Sequence, residues 1–396
     1  MAGYSPPPAF SLLAKPTGAA CNLACAYCFY LEKDQLYPGS LFRMPDDVLK
    51  AYIKQLLHSQ PGPQVSLAWQ GGEPTLMGLD FFQRSVALVN RYKRPGQQVS
   101  YSLQTNGTRL DDSWCAFFRE HNFLIGLSVD GPPALHNAYR VDKGGQPGFY
   151  QVQRAWDLLQ KHAVATNILC AVHAANASHP LEVYRFFRDT LQANFIQFIP
   201  IVERLKPAAG SPDETPVTTR SVQPAAFGQF LVAVFDEWLQ RDVGRVFVQT
   251  FDSALASWSG LPANVCIFQE TCGLSLVLEH NGDLYACDHF VEPAHRLGNI
   301  LETPMRALVD SSRQRQFGLD KRDRLPTVCR ACDVRFACQG ECPRNRFIKI
   351  PAEAEALNYL CTGYQQFFHH IDAPMRRMAG LLRQGRAPAE IMQENQ

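Results

Sequence analysis

The first half of the chain alternates short apolar runs with segments of helical period. Six runs, at residues 10–15, 65–69, 99–104, 124–129, 167–173 and 195–201, are rich in apolar and β-branched residues. They often end at Gly, Pro or Asn, which predicts strands. Between them, residues 46–59 place Leu49, Ile53, Leu56 and Leu57 near one face, behind the start signals Pro45 and Asp46. Residues 81–92, 113–120, 150–162 and 180–191 also follow a helical period. Strand–helix alternation over six repeats predicts an α/β fold with a parallel sheet, open or curled into a barrel. Chemistry in such folds sits at the carboxyl ends of the strands.

Residues 206–224 break the alternation with Pro207, Pro212, Pro216 and Pro224, and read as a long loop placed to cover a substrate. Residues 227–240 carry Phe227, Phe230, Leu231, Val234, Phe235 and Trp238 at helical spacing, which predicts a core-facing helix. From about residue 263 the character changes to short apolar runs, turns and eight cysteines, the mark of a second, cysteine-organised domain. The tail from Asp372 groups Met375, Met378, Leu381 and Leu382 on one face, as a packed terminal helix does.

A length of 396 residues suits one large domain or two ordinary ones. The 38 basic and 37 acidic side chains leave a charge of +1, so no global field attracts nucleic acid or an anionic membrane. No apolar run approaches the ~20 residues of a membrane helix. The first 20 residues lack the charged and apolar segments of a secretory signal, so a cytoplasmic location is expected. Thiols stay reduced there, and the 13 cysteines, an odd number, then point to metal rather than disulfides.

Cys21, Cys25 and Cys28 form a C-x3-C-x2-C cluster just after the first predicted strand. Three thiolates satisfy three irons of a 4Fe–4S cluster and leave the fourth without a protein ligand; zinc with a distant histidine is the alternative. Gln70-Gly71-Gly72-Glu73-Pro74 ends the second strand, Gln104-Thr105-Asn106-Gly107 the third and Ser128-Val129-Asp130-Gly131-Pro132 the fourth. The two glycines permit close backbone approach and Glu73 offers negative charge. The eight late cysteines, Cys266, Cys272, Cys287, Cys329, Cys332, Cys338, Cys342 and Cys361, make two complete four-thiolate sites, for iron–sulfur clusters or for zinc. Cys115 and Cys170 stand alone in apolar contexts and are expected to be buried.

Residues 21–30, CNLACAYCFY, together with the Gly-Gly-Glu-Pro turn, resemble the radical S-adenosylmethionine (SAM) enzymes. The resemblance implies a partial (β/α)6 radical SAM barrel over residues 1–235, with SAM bound at the open iron of the Cys21, Cys25 and Cys28 cluster. It places Tyr27 against the adenine, Gly72 in the motif lining the methionine amino group, Ser128 and Arg140 on the sugar or carboxylate, and Ile201 on the far side. The later cysteines resemble a SPASM domain, implied for residues 236–396, with two auxiliary 4Fe–4S clusters and thus three in all. By that likeness Cys266, Cys272, Cys287 and Cys342 hold one cluster, and Cys329, Cys332, Cys338 and Cys361 the other; spacing alone groups the compact run 329–342 together.

Over nearly the whole chain the likeness is strongest to anaerobic sulfatase-maturating enzymes. Their pattern implies that Asp288, directly after Cys287, is the catalytic proton acceptor, and Tyr30 is a substrate-facing candidate. The implied reaction oxidises a Cys or Ser of an unfolded sulfatase polypeptide to Cα-formylglycine, with a flavodoxin or ferredoxin as electron donor and no nucleic acid or membrane partner. No motif distinguishes Cys from Ser as the target. On its residues alone Asp288 also reads as a solvated turn residue or a partner of His289. The rival function is another SPASM peptide maturase, such as one making thioether crosslinks; those commonly carry a leader-binding module, and only 20 residues precede Cys21. A zinc scaffold without catalysis is a third reading.

Overall fold

A computed structural model of the protein describes residues 8–205 and 217–394. The loop expected at 206–224 lies outside the described residues as far as 216. Along the chain run strands β1 (Ser11–Lys15), β2 (Gln64–Trp69), β3 (Gln98–Thr105), β4 (Phe123–Ser128) and β5 (Ala165–Val172). They are followed by β6 (Phe195–Pro200), β7 (Phe247–Val248), β8 (Ser275–Glu279), β9 (Asp283–Tyr285) and β10 (Arg296–Asn299). The main helices are α1 (Asp46–Ser59), α2 (Leu79–Tyr92), α3 (Asp112–Glu120), α4 (Phe149–Lys161), α5 (Pro180–Arg185), α6 (Pro224–Arg241), α7 (Gln249–Trp258) and α8 (Cys361–Arg383).

The chain folds as two compact units that interleave along the sequence: residues 1–127, 141–166 and 272–320 in the first, the remainder in the second. In the first unit the strand order is β10-β9-β8-β1-β2-β3-β4. Strands β8, β1, β2, β3 and β4 are mutually parallel, and β9 and β10 complete an antiparallel edge. Sequence periodicity foresaw β1 to β4 within about two residues, but not β8, whose five residues read as one more apolar run among cysteines. Its place beside β1, with Lys15 opposite Glu279, carries the segment around Asp288 into this unit.

Helix α1 begins where predicted and buries Val48, Leu49, Tyr52, Ile53, Leu56 and Leu57 along one stripe. Helix α3 is started by Asp111, whose carboxylate accepts from the amides of Ser113 (2.9 Å) and Trp114 (3.1 Å). Trp69, at the end of β2, meets Tyr52, Phe81 and Phe82 edge-on with ring centroids 5.5–5.7 Å apart. Each such aromatic contact adds about 0.5–1.5 kcal/mol beyond burial, so the carboxyl end of β2 is held rigidly.

The second unit carries β5, β6 and β7 as a parallel ladder. The helix predicted over 180–191 begins as α5 and widens to a π turn at Phe186–Thr190, where Arg188 reaches Glu237 (2.9 Å) and Asp242 (3.0 Å). Helix α6 buries its aromatic stripe against α8, and the two backbones nearly touch. A Cβ on Gly363 would stand 2.1 Å from the carbonyl oxygen of Pro224. The tail helix starts at Cys361, earlier than Asp372, because Tyr364, Phe367, Phe368 and Ile371 extend its buried stripe; Leu382, expected on that face, is exposed.

Helix α7, absent from the sequence reading, half-buries Asp252, and burial pushes this carboxyl up to about 6. The folded state therefore carries a penalty while the group is ionised, absent below the unfolded carboxyl range of about 3.9 and complete above about pH 6. Asp252→Asn is expected to raise the thermal midpoint at pH 8, worth about 1–2 kcal/mol given partial exposure. The gain should shrink as pH falls from 7 to 5, measured by scanning fluorimetry of the holoprotein across that range.

Candidate iron–sulfur and substrate site

Three strand ends of the first unit are wired to one another beneath the cysteine loop. Glu73, fully buried, receives the Thr75 amide (3.0 Å), the hydroxyls of Thr75 and Thr105 (2.7 Å each) and the Asn106 amide (2.8 Å). Burial pushes its pKa up and the four donors oppose that shift. The negative charge expected to face a ligand is thus committed inside the protein, where it ties the end of β2 to the end of β3. Asn106 passes the link on, donating to Asn22 Oδ1 (3.0 Å) and toward Cys21 Sγ (3.7 Å).

Gly72 serves the same join. A Cβ there would stand 2.1 Å from the Ala20 carbonyl oxygen, because the Gly72 amide donates to Gly18 (2.7 Å) and that of Glu73 to Ala20 (2.9 Å). The close approach this glycine allows is to the backbone just before Cys21. Beyond it, Ala24 donates to Val141 (2.8 Å), so the C-x3-C-x2-C loop is held just before Cys21 and again within the loop. Tyr27 is buried within that loop.

Asp288 and Tyr30 meet on a residue that sequence reasoning missed. Lys15, the last residue of β1, is 1% exposed, and its Nζ stands 2.5 Å from Asp288 Oδ1 and 3.5 Å from the centroid of the Tyr30 ring. The ion pair is close but not aligned as a hydrogen bond. Tyr30 donates its hydroxyl to Glu279 Oε1, and burial, then the Glu279 charge, raises its pKa. His289 meets Phe29 edge-on at 5.8 Å. A lysine closing an apolar strand reads as a surface cap; only the pairing of β1 with β8 buries it.

In the second unit Asp130 is fully buried and receives Arg140 Nε (2.8 Å) and Nη2 (3.0 Å) and the Ala171 amide (2.9 Å). Burial alone would raise its pKa, but the Arg140 charge and the hydrogen bonds hold it far below the usual carboxylate range. Arg140, expected on the cosubstrate, is thereby locked in one orientation. Ser128 ends β4, and Ile201, half-buried, follows β6 with its amide on Val172 (2.8 Å).

Cys329, Cys332, Cys338 and Cys361 also lie in the second unit and line one cavity with Tyr364 and Gln365. Burial pushes the Cys338 thiol to about 12 and Cys361 to about 11. Arg346, largely buried, grips the carbonyls of Lys321 (2.6 Å), Gly340 (2.9 Å), Gln339 (3.1 Å) and Glu341 (3.2 Å), fixing the loop from Cys338 to Cys342. Lys321, 1% exposed, holds the carbonyls of Cys266 (2.7 Å), Ile267 (2.8 Å) and Gln269. Of the remaining late cysteines, Cys266 and Cys342 belong to the second unit and Cys272 and Cys287 to the first.

The donor set fits iron–sulfur clusters. All thirteen cysteines are free thiols, and Cys115 and Cys170 are buried as expected. N–H groups of Leu23 and Asn106 point at Cys21 Sγ and that of Gln365 at Cys332 Sγ, the arrangement that favours thiolate. Burial pushes the Cys21 thiol to about 12, so ligation must displace its proton. Among the described residues no three Cys, His or carboxylate side chains converge as the ligands of a single ion must. Thiolates on separate irons of one cluster need not. Among the described residues no helix is long and apolar enough to cross a membrane.

Residues 16–187 match the model of the radical SAM superfamily, and residues 266–333 match that of an iron–sulfur cluster-binding domain, SPASM. The serine-type anaerobic sulfatase-maturating enzyme of Bacteroides thetaiotaomicron is 43% identical over 96% of this chain and 94% of its own. The cysteine-type enzyme of Clostridium perfringens is 36% identical over 92% and 96%. Among solved structures, native anSMEcpe with bound AdoMet and Kp18Cys peptide superposes with a TM-score of 0.85 at 35% identity, over 94% of this chain and 99% of that one. The sheet is thus that of the expected radical SAM fold, followed by SPASM. Streptococcus suis SuiB shares the fold alone, at 14% identity and TM-score 0.57.

Because Gly72 abuts the Ala20 carbonyl, Gly72→Ala should displace the cysteine loop. After anaerobic reconstitution it is expected to hold about eight irons per chain where the native protein holds about twelve, with SAM cleavage lost. Iron assay and cleavage under reductant check both.

Proposed function

We propose that this chain, which belongs to the family of anaerobic sulfatase-maturating enzymes, oxidises a Cys or Ser side chain of an unfolded sulfatase polypeptide to Cα-formylglycine. The observation that carries the reading is that one compact unit holds the cysteine trio, Tyr30 and an aspartate directly after a late cysteine. Its relatives are named for both serine-type and cysteine-type maturation, and the reading keeps both targets. The relatives similar over nearly the whole chain are named for sulfatase maturation and give thioether crosslinking no support.

Clusters and SAM together supply the radical that takes one hydrogen atom from the substrate Cβ and an acceptor for the second electron. The trio Cys21, Cys25 and Cys28 holds the SAM-binding cluster, and Cys329, Cys332, Cys338 and Cys361 hold an auxiliary one. Tyr27, Gly72, Ser128, Arg140 and Ile201 are the candidate cosubstrate contacts; Tyr30, expected to face the substrate, is buried with its hydroxyl on Glu279 and backs Lys15 instead. Asp288 accepts the thiol or hydroxyl proton that must leave as the carbon is oxidised. The balance is one hydrogen atom, one electron and one proton removed, giving an aldehyde from Ser. From Cys it gives a thioaldehyde, which water converts to the aldehyde with release of sulfide. Residues 1–235 form the radical SAM core in this reading and 236–396 the SPASM region, in a cytosolic protein served by a flavodoxin or ferredoxin.

Mass spectrometry of a sulfatase-derived peptide after incubation with reconstituted protein, SAM and reductant tests the reaction. A loss of about 18 Da at Cys or about 2 Da at Ser identifies formylglycine, and an unchanged peptide alongside SAM cleavage refutes the assignment. Asp288→Asn is expected to keep its iron and still form 5′-deoxyadenosine, while formylglycine falls by about 10²-fold or more. A native yield from that variant removes Asp288 from the role of base.

A further inference from the structure

The strongest unexplained feature of the first unit is the burial of Lys15. An ammonium withdrawn from water is tolerated only beside compensating charge and donors or acceptors. Here the neighbours are the Asp288 carboxylate at 2.5 Å and the face of Tyr30 at 3.5 Å, with Phe29 further out at 6.0 Å. Glu279, opposite Lys15 across the ladder, takes the Tyr30 hydroxyl and so keeps that ring flat beneath the ammonium. Oδ1 of Asp288 is itself buried although the side chain as a whole is 23% exposed, so the exposure falls elsewhere on the carboxylate-bearing arm. The lysine thus stands against the one carboxylate oxygen that is buried.

We infer that Lys15 is a positioning residue for the oxidation: it pins Oδ1 of Asp288 so that Oδ2 is presented to the substrate thiol or hydroxyl in one fixed orientation. This rests on the proposed role of Asp288 as proton acceptor. Lys15 sits on the strand leading into the cysteine loop, and Asp288 follows β9 in a separate chain segment of the same unit. The ion pair therefore joins the part of the chain that starts the reaction to the group that takes the proton. A base displaced by about 1 Å costs up to 10²-fold in rate, and the lost step lies after hydrogen abstraction.

Lys15→Met keeps the length and packing of the side chain and removes the charge. Reconstituted Lys15→Met, Asp288→Asn and the double variant are compared with the native holoprotein by iron content, by affinity for a fluorescent target peptide, and by formylglycine produced per 5′-deoxyadenosine. Lys15→Met is expected to retain iron and peptide affinity while the product ratio falls roughly tenfold to a hundredfold. The double variant should fall no further than Asp288→Asn alone, because a pin has no effect once its carboxylate is gone. A native ratio in Lys15→Met overturns the inference, as does a double variant whose losses multiply. A native ratio in Asp288→Asn instead sinks the role of the base itself. Should Lys15→Met lose iron, Lys15→Gln is judged by the same ratio, with n-butylammonium expected to restore coupling in Lys15→Ala and n-butanol not.

Discussion

A single buried carboxylate organises the first unit. Glu73 accepts four hydrogen bonds from two strand ends, and the strand turn that carries it also packs Gly72 against the backbone before Cys21. A carboxylate inside a protein is unfavourable unless its oxygens are satisfied, so the ends of β2 and β3 hold fixed positions relative to one another. The cysteine loop inherits that rigidity through Asn106 and through the glycine. Thiol ligands must stand ready before metal arrives, since a loose loop would spend binding energy on ordering itself. The Gly-Gly-Glu-Pro turn thus serves the scaffold on which the cysteine loop rests.

Buried cations form a second device. Lys321 and Arg346 spend their donors on main-chain carbonyls of the loops that carry Cys266 and Cys338 to Cys342. Burial lowers the Arg346 pKa, and the nearby thiols oppose that shift. A loop with few backbone partners of its own is thereby fixed from inside by a side chain reaching several carbonyls at once. Lys15 differs in kind, because its partner is an ionisable side chain at a candidate reaction site rather than backbone.

Much of the chemistry was legible before any coordinates. Cysteine spacing is a local property, and C-x3-C-x2-C or a C-x2-C-x5-C-x3-C run declares thiol chemistry wherever the chain goes. The parallel α/β alternation, the aromatic stripe of α6 and the burial of Cys115 and Cys170 are likewise written in short-range pattern, because periods of two and 3.6 are local. The misses were of two kinds. The early start of α8 was hidden by cysteine-rich surroundings that suggested loops, and the short segment of α7 was assigned no element. Glu73 was read as offering its charge to a ligand because its turn resembles one that lines the cosubstrate; its four donors, drawn from residues 75, 105 and 106, hold its oxygens inside the protein.

Sequence by itself thus determined that the ligands are thiols, where along the chain they lie and which short segments of the first half are strands, each carried by neighbours in the chain. Tertiary structure alone decided that β8 lies beside β1, that Lys15 is buried by that pairing, and that its ammonium meets Asp288 from 273 residues away. Long-range strand pairing is settled by the combined burial and hydrogen bonding of whole elements. No single residue records it, and for that reason the partner of Asp288 was not to be found in the sequence.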